Sequence, residues 1–291
     1  MPTELRTKLE THNEKVNPVR ALMHRTVGYG SRISVLREAL TILHRVRHRH
    51  EPWMRQHPFD TSYGTTTNGT LPPWLLRSGE AADAHVTVYA GCQPSCLRHA
   101  LAVIPHPADH TFVDLGCGKG RALVLASELP FRRIVGIELA PGLVAAARRN
   151  ARIVQRNHPR RSAIEIVQGD ATAVPFPEGN LVFFLYHSFG RELVARMLSR
   201  IADAVAGTER TIFLIYENPV NGDLIDGIDK FTRWYCQTVP CETDELGLAP
   251  DDEDTVVVWR ISGGPLIPPK REATTSIVVT KPGWRAVLAT G

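Results

Sequence analysis

The run Thr111 to Arg121, T-F-V-D-L-G-C-G-K-G-R, constrains the fold more than any other stretch of the 291 residues. A β-prone, largely apolar segment from Thr111 to Leu115 meets glycines at 116, 118 and 120. A helix-favouring segment, Arg121 to Leu129, follows and is closed by Pro130. A strand that turns into a helix over glycines brings the backbone close to a ligand and points free N–H groups at it. Asp114, two residues before the first glycine, adds a carboxylate to that turn.

From Thr111 onward the pattern alternates regularly. Strand 111–115, helix 120–129, strand 133–138 and helix 141–157 form a first β-α-β unit, with Pro141 in a tolerated first-turn position and Pro159 ending the helical stretch. Strand 164–168 follows. The segment 181–186, L-V-F-F-L-Y, is a continuous apolar run, as expected of a parallel strand covered on both faces. Helix 191–205, strand 211–216, a short helix near 221–229, and strands near 232–239 and 254–262 complete the body. Such alternation predicts an α/β fold with a doubly wound, mostly parallel sheet. The acidic run 251–254 reads as a hairpin turn between the last two strands, and Ser276 to Thr280 as one added edge strand.

The flanks are less explicit. Residues 1–60 read as a basic helical extension, with Leu36, Leu40, Leu43 and Val46 at helical spacing. His44 and His48, four apart, sit in a run that reads best as a solvated basic face, since no third metal ligand is near. Residues 61–104 read as a loop followed by a helix over 94–104. The loop's Tyr63-Gly64-Thr65-Thr66-Thr67-Asn68-Gly69 is either a linker or a lid over a bound ligand, and spacing alone favours the linker. Cys92, Cys96 and His99 lack the second half that a zinc site needs. The main domain spans 105–263 and the tail 264–291.

Bulk composition excludes little. Hydrophobic residues make up 43%, charged residues 22% and the formal net charge is +4, ordinary values for a soluble domain that do not by themselves imply nucleic acid. The five scattered cysteines suggest a reducing compartment. The N-terminus lacks a secretory pattern and no apolar run is long enough to span a bilayer. A cytoplasmic protein without membrane partners is the expectation.

In an open α/β sheet, ligands lie outside the C-terminal ends of the strands. Strand one delivers Asp114, Gly116, Gly118 and Gly120; strand two, Glu138; strand three, Asp170 and Ala171; strand four, His187; strand five, Glu217. An acid such as Glu138 accepts from ribose hydroxyls, a feature that dinucleotide enzymes share. The glycines separate the two readings, because Arg121 stands where a dinucleotide fingerprint needs its third glycine. A pyrophosphate gains nothing from a facing carboxylate, whereas a cationic, amino-acid-bearing cofactor tolerates one. Asp170 supplies a further acceptor suited to an exocyclic adenine amine.

The motifs D-L-G-C-G-K-G at 114–120, V-G-I-E-L at 135–139 and V-Q-G-D-A at 167–171 resemble those of class I S-adenosylmethionine-dependent methyltransferases. The Tyr63 to Gly69 loop, Tyr89, Pro94-Ser95 and F-L-Y-H-S-F-G at 184–190 are similar to a group of largely uncharacterised bacterial methyltransferases. The resemblance covers about residues 59–219. It implies a seven-stranded sheet with one antiparallel strand and S-adenosyl-L-methionine as cofactor. Gly116 to Gly120 would lie at its methionine portion, Glu138 at the ribose, Asp170 at the adenine and Asp114 at the amino end. It also favours a lid role for Tyr63. Relatives commonly carry Asn-Pro where this chain has His187-Ser188, which weakens any reading toward amino nitrogens of bases or amides. His187 is then either a general base or a residue that shapes the pocket, and Glu217 is a weaker candidate base.

Methyl transfer requires mainly that the nucleophile be held in line and water excluded. A non-catalytic binding protein that keeps the pocket is the alternative, and an NAD(P)-dependent oxidoreductase a more distant one. For the acceptor, a small molecule or protein is favoured over nucleic acid, although Arg47, Arg49, Arg148, Arg149, Arg160 and Arg161 keep the latter open.

Overall fold

The computed structural model describes Ala39, Ile42, Leu43, Val46, Arg47, Leu76 and residues 55–71, 89–186, 189–205, 208–248, 252–262, 277–281 and 284–288. Seven strands form one sheet: β1 (His110–Leu115), β2 (Arg133–Glu138), β3 (Ile164–Gln168), β4 (Asn180–Tyr186), β5 (Thr211–Glu217), β6 (Thr232–Pro240) and β7 (Glu253–Ser262), in the order β3-β2-β1-β4-β5-β7-β6. Strand β7 runs antiparallel to both its neighbours and every other pairing is parallel. The doubly wound α/β sheet with one antiparallel strand is borne out.

Alternation along the central strands fixes the two layers. Phe112, Phe184, Phe213 and Ile215 face one core, while Val113, Leu115, Phe183 and Leu214 face the other. Each such side chain, fully buried, stabilises the fold by roughly 1.5–3 kcal/mol. The helices are α1 (Pro58–Tyr63), α2 (Pro94–Ala102), α3 (Arg121–Ala126), α4 (Pro141–Asn157), α5 (Arg191–Val205) and α6 (Gly222–Asp226). Helix α5 buries Val194, Met197, Leu198 and Ile201 in the second core, the 3–4 spacing of an amphipathic helix. After β3 the chain crosses to the far side of β1 to lay down β4. This switch point places the crevice for a ligand beyond the ends of β1 and β4.

Several boundaries depart from the sequence reading. Helix α3 stops at Ala126 because Glu128 and Leu129 donate to Leu125 and Ala126, three residues back, which tightens the chain into turns. The connection between β6 and β7 spans 241–252, and the acidic Glu253 and Asp254 already belong to β7. Ile277–Lys281 is a strand, but it pairs with Trp284–Leu288 in a separate two-stranded sheet instead of extending the main one. The boundary drawn at residue 60 falls inside α1. Ile42, Leu43 and Val46 are helical and exposed, while Leu36, Leu40, His44 and His48 lie outside the described residues.

The segment upstream of the sheet is organised by Asp60, which is 2% exposed. Its Oδ1 accepts from the hydroxyls of Thr65 and Thr67 and from Thr67 N, at 2.7–2.8 Å, and its Oδ2 accepts from Asn68 N at 2.8 Å. These bonds and the charge of Arg121 outweigh burial and hold the Asp60 pKa below the ordinary carboxylate value. Helix α2 is anchored by a second buried acid: Glu245 accepts from Ser95 N and Ser95 Oγ at its first turn. Because folding lowers the pKa of Asp60, its contribution is complete above the unfolded value and is lost as pH falls through the folded one. Asp60→Asn should therefore cost about 2 kcal/mol at neutral pH. In denaturant titrations the gap from wild type should narrow below about pH 4, and a pH-independent gap would contradict this role.

Candidate functional site

Gly116, Gly118 and Gly120 all have positive φ, +81°, +56° and +87°, a region that side chains with a Cβ rarely adopt. The turn they form is internally satisfied. Gly116 and Cys117 N–H both donate to Ile137 O, Gly118 N–H to Glu138 Oε2 at 2.9 Å, and Gly120 N–H to Cys117 O. The expectation that these N–H groups point at a ligand is thereby corrected. What the turn offers a ligand is bare backbone and the acid that precedes it.

A cavity of about 300 Å³, counting its open mouth, lies beyond the ends of β1 and β4, and its walls include Tyr89, Cys92, Asp114, Gly116, Arg121 and Tyr186. Asp114 is 3% exposed. Among the described residues no group donates to its carboxylate. Burial, and then the nearby charge of Glu138, push its pKa well above the ordinary value. Across the cavity, the buried Arg121 donates from Nε to Thr67 Oγ1 at 2.8 Å, from Nη1 to Cys92 O at 3.0 Å and from Nη2 to Asn68 Oδ1 at 3.3 Å. A Cβ on Gly91 would come within 2.6 Å of that guanidinium, so residue 91 is glycine to let Arg121 reach the wall.

The other expected residues fall in distinct places. Glu138 stands behind the glycine turn, with Oε2 on Gly118 N and Oε1 on Ala140 N at 2.7 Å; burial raises its pKa although these bonds oppose the rise. Asp170 is exposed at the end of β3, where its Oδ1 accepts from Thr172 N and Oγ1, and Gly169 N donates to Glu138 O. Arg200 holds the neighbouring Ala171 carbonyl at 2.8 Å. Tyr89 lies against Gly118, where a Cβ would meet its ring at 2.3 Å, and its hydroxyl donates to Thr67 O.

Two expected roles change. The Tyr63 hydroxyl donates to Glu128 Oε1 at 2.6 Å and its ring takes the Arg161 guanidinium, away from the cavity wall. Thr67 and Asn68, not Tyr63, tie that loop to the cavity, by accepting from the wall residue Arg121. Glu217 is 0% exposed, outside the cavity wall, and its Oε1 accepts from Gln93 N at 2.7 Å, so it braces the start of α2 and is not placed as a base. His187 lies outside the described residues, directly after Tyr186 of the wall. Sequence reasoning used Arg121 only to disfavour NAD and missed its place in the cavity; its partners stand 29 to 54 residues away.

The two buried cysteines nearest the glycine turn are disfavoured as nucleophiles. Burial drives the Cys92 and Cys117 thiols well above their ordinary pKa. Cys96 is buried while His99 is exposed, and among the described residues no group of three or more His, Cys, Asp or Glu is placed to hold a metal ion. No helix among the described residues is long and apolar enough to cross a membrane.

An unpaired carboxylate that folding makes harder to ionise lowers stability as pH rises from the unfolded pKa through the folded one. Asp114→Asn should thus raise the melting temperature of the ligand-free protein at pH 8, by about 2–4 °C for each kcal/mol relieved. The gain should vanish below the pKa of an unfolded aspartate. A variant less stable than wild type at pH 8 would mean that the carboxylate has a partner.

Residues 112–207 match the family model described as a methyltransferase domain. The chain is 34% identical over 83 residues to a demethylmenaquinone methyltransferase of Thermus thermophilus, covering 28% of this chain and 35% of that protein. It is 38% identical over 88 residues to a 23S rRNA (uracil(1939)-C(5))-methyltransferase of Xanthomonas campestris, covering 30% and 19%. It is 43% identical over 56 residues to a release factor glutamine methyltransferase of Geobacter sulfurreducens, covering 19% of each. The chain thus spans about a third or less of the length of these relatives. Among solved structures, an RNA methyltransferase from Salinibacter ruber in complex with S-adenosyl-L-homocysteine aligns at 19% identity and a TM-score of 0.38, over 62% of this chain and 100% of that one. The segment 112–207, which runs from β1 through α5 and contributes Asp114, Arg121 and Tyr186 to the cavity, is a methyltransferase domain.

Proposed function

We propose that the protein is an S-adenosylmethionine-dependent methyltransferase that holds the cofactor's amino-acid end in the Asp114 cavity. The carrying observation is a buried carboxylate with no donor among the described residues, set in the wall of a cavity. A buried charge of this kind is stabilised by an ionic partner, and the cofactor's ammonium is one. Arg121 faces the same cavity with five N–H donors, of which three are engaged. The remaining two suit the cofactor's carboxylate. An acid and a guanidinium on one cavity match the two ends of an amino-acid zwitterion. A pyrophosphate would meet a carboxylate and a glycine turn whose N–H groups are taken, which disfavours NAD.

The carboxylate oxygens of Glu138 each accept from one backbone N–H, of Gly118 and of Ala140, and keep lone pairs for ribose hydroxyls. Asp170 and Ala171, tied to β2 by the Gly169 bond, are assigned to the adenine edge. Tyr89 packs on the turn from the other side. S-adenosylmethionine supplies a methyl group on a positively charged sulfur, ready for in-line displacement. This chain's contribution is to fix that geometry and exclude water. His187, next after the wall residue Tyr186, is the candidate for removing an acceptor proton. The relatives' names cover a demethylmenaquinone, an rRNA uracil and a release-factor glutamine and so do not choose an acceptor class. Five free thiols suit a reducing, cytoplasmic setting.

Titration calorimetry should show binding of S-adenosylmethionine and none of NAD. Asp114→Ala should weaken that binding at least tenfold by loss of a charge-assisted bond. Arg121→Gln should weaken S-adenosylmethionine but leave its decarboxylated analogue close to its wild-type affinity. Binding of NAD alone would refute the assignment; equal losses for both analogues would remove only Arg121's role. For His187→Ala, the pH–rate profile should lose its limb near neutrality, and an unchanged profile would retire the base.

A further inference from the structure

The solvent face of α4 concentrates positive charge that no carboxylate among the described residues pairs. Between Leu139 and Ile164 the chain has six arginines, 148, 149, 152, 156, 160 and 161, and no acidic residue. Set against a net charge of +4, this one segment leaves the remainder of the chain at −2. Helix α4 buries Leu143, Val144, Ala147, Ala151 and Val154 against the sheet, and Arg148, Arg149, Arg152, Arg156 and Arg160 are exposed.

Several arginines elsewhere in the fold are neutralised locally. Arg98, Arg133, Arg191 and Arg233 each lie within hydrogen-bonding reach of a carboxylate, on Glu128, Glu165, Asp223 and Asp226. Among the described residues, none of the five exposed arginines of the α4 segment has such a partner. Arg156, in the last turn, complements the helix dipole, but Arg148, Arg149 and Arg152 sit mid-helix, where that benefit is absent. Arg148, Arg152 and Arg156 recur every fourth residue, so like charges stand on one stripe and repel. Arg148 Nη2 donates to Ile166 O at 3.1 Å, but among the described residues no carboxylate offsets the charge of this stripe.

We propose that the exposed face of α4 binds the phosphodiester backbone of a nucleic acid. The stripe places a guanidinium about every 6 Å along the helix, and guanidinium groups bind phosphate oxygens in pairs. A nucleic-acid strand offers a continuous row of such charges, whereas an acidic protein surface interrupts its carboxylates with neutral groups. The contact is to backbone and carries no sequence preference of its own. It is independent of the cofactor assignment, because no arginine of this face lines the Asp114 cavity.

Fluorescence anisotropy with the full chain tests this, using labelled 20-mers of oligo-U RNA, oligo-dT DNA and poly-glutamate between 50 and 200 mM salt. Wild type should bind the oligonucleotides, with an affinity that falls steeply as salt rises. The variant Arg148→Gln/Arg152→Gln/Arg156→Gln should bind at least tenfold more weakly at 50 mM and lose about two from the salt slope, roughly 0.7 for each phosphate contact on a single strand. Its melting temperature, measured alongside, should match wild type and so exclude misfolding. Tighter binding of RNA or of DNA identifies which strand is the partner. No binding by wild type at 50 mM salt, undiminished binding by the triple variant, or equally tight binding of poly-glutamate would overturn the proposal.

Discussion

The buried guanidinium of Arg121 is the contact on which the site depends. It issues from the first residue of α3, directly after the glycine turn, and reaches three places at once: the Thr67 hydroxyl, the Asn68 side chain and the Cys92 carbonyl. Thr67 in turn is held by Asp60, so a buried acid and a buried base meet through a shared hydroxyl. Two upstream segments that are not part of the β-α-β pattern are thereby tied to the cavity, and one of them, at Tyr89 and Cys92, forms part of its wall. Asn150 of α4 adds a second tie, exchanging bonds with Thr66 and accepting no other role than to join that loop to Lys119 O. A loop fastened at so many points holds the wall residue Arg121 in place.

In the same cavity as Arg121 stands a carboxylate with no donor among the described residues. Five carboxylates are buried among the described residues, those of Asp60, Asp114, Glu138, Glu217 and Glu245. Four are engaged by loop hydroxyls, backbone N–H groups or the start of α2. Asp114 is the exception, and it is the one in the cavity wall. Buried carboxylates without donors cost stability, and active sites are where folds keep such costs. The glycine turn beside it has used the N–H groups of Gly116, Cys117 and Gly118 on β2 and that of Gly120 on Cys117 O, which separates this site from a phosphate-binding loop that looks alike in sequence.

Much of the scaffold was legible because it is local. Pro141 and Asn157 bound α4 as the proline at its start and Pro159 beyond its end indicate, and the apolar run 181–186 is the buried central strand it resembles. The order of acids at the ends of β1, β2 and β3 could be read because each follows its strand directly. What escaped depends on contacts between distant residues. Nothing near Arg121 in sequence announces Thr67, 54 residues away. Glu245 and Ser95 lie 150 apart. Tyr63 belongs to a loop that does close on the site, yet its own side chain turns to Glu128 because α1 presents successive residues to different faces. The strand at 277–281 was readable, but its partner at 284–288 competes with the sheet edge at far smaller loop-closure cost.

The central claim is that the Asp114 carboxylate, which has no donor among the described residues, is matched by the cofactor's positive charge. Carbon-13 NMR of a selectively labelled aspartate, titrated with and without S-adenosylmethionine, reads this directly. The account predicts an Asp114 pKa above the ordinary carboxylate range in the free protein, falling when S-adenosylmethionine is bound. An ordinary pKa in the free protein, or one that S-adenosylmethionine leaves unchanged, would contradict it.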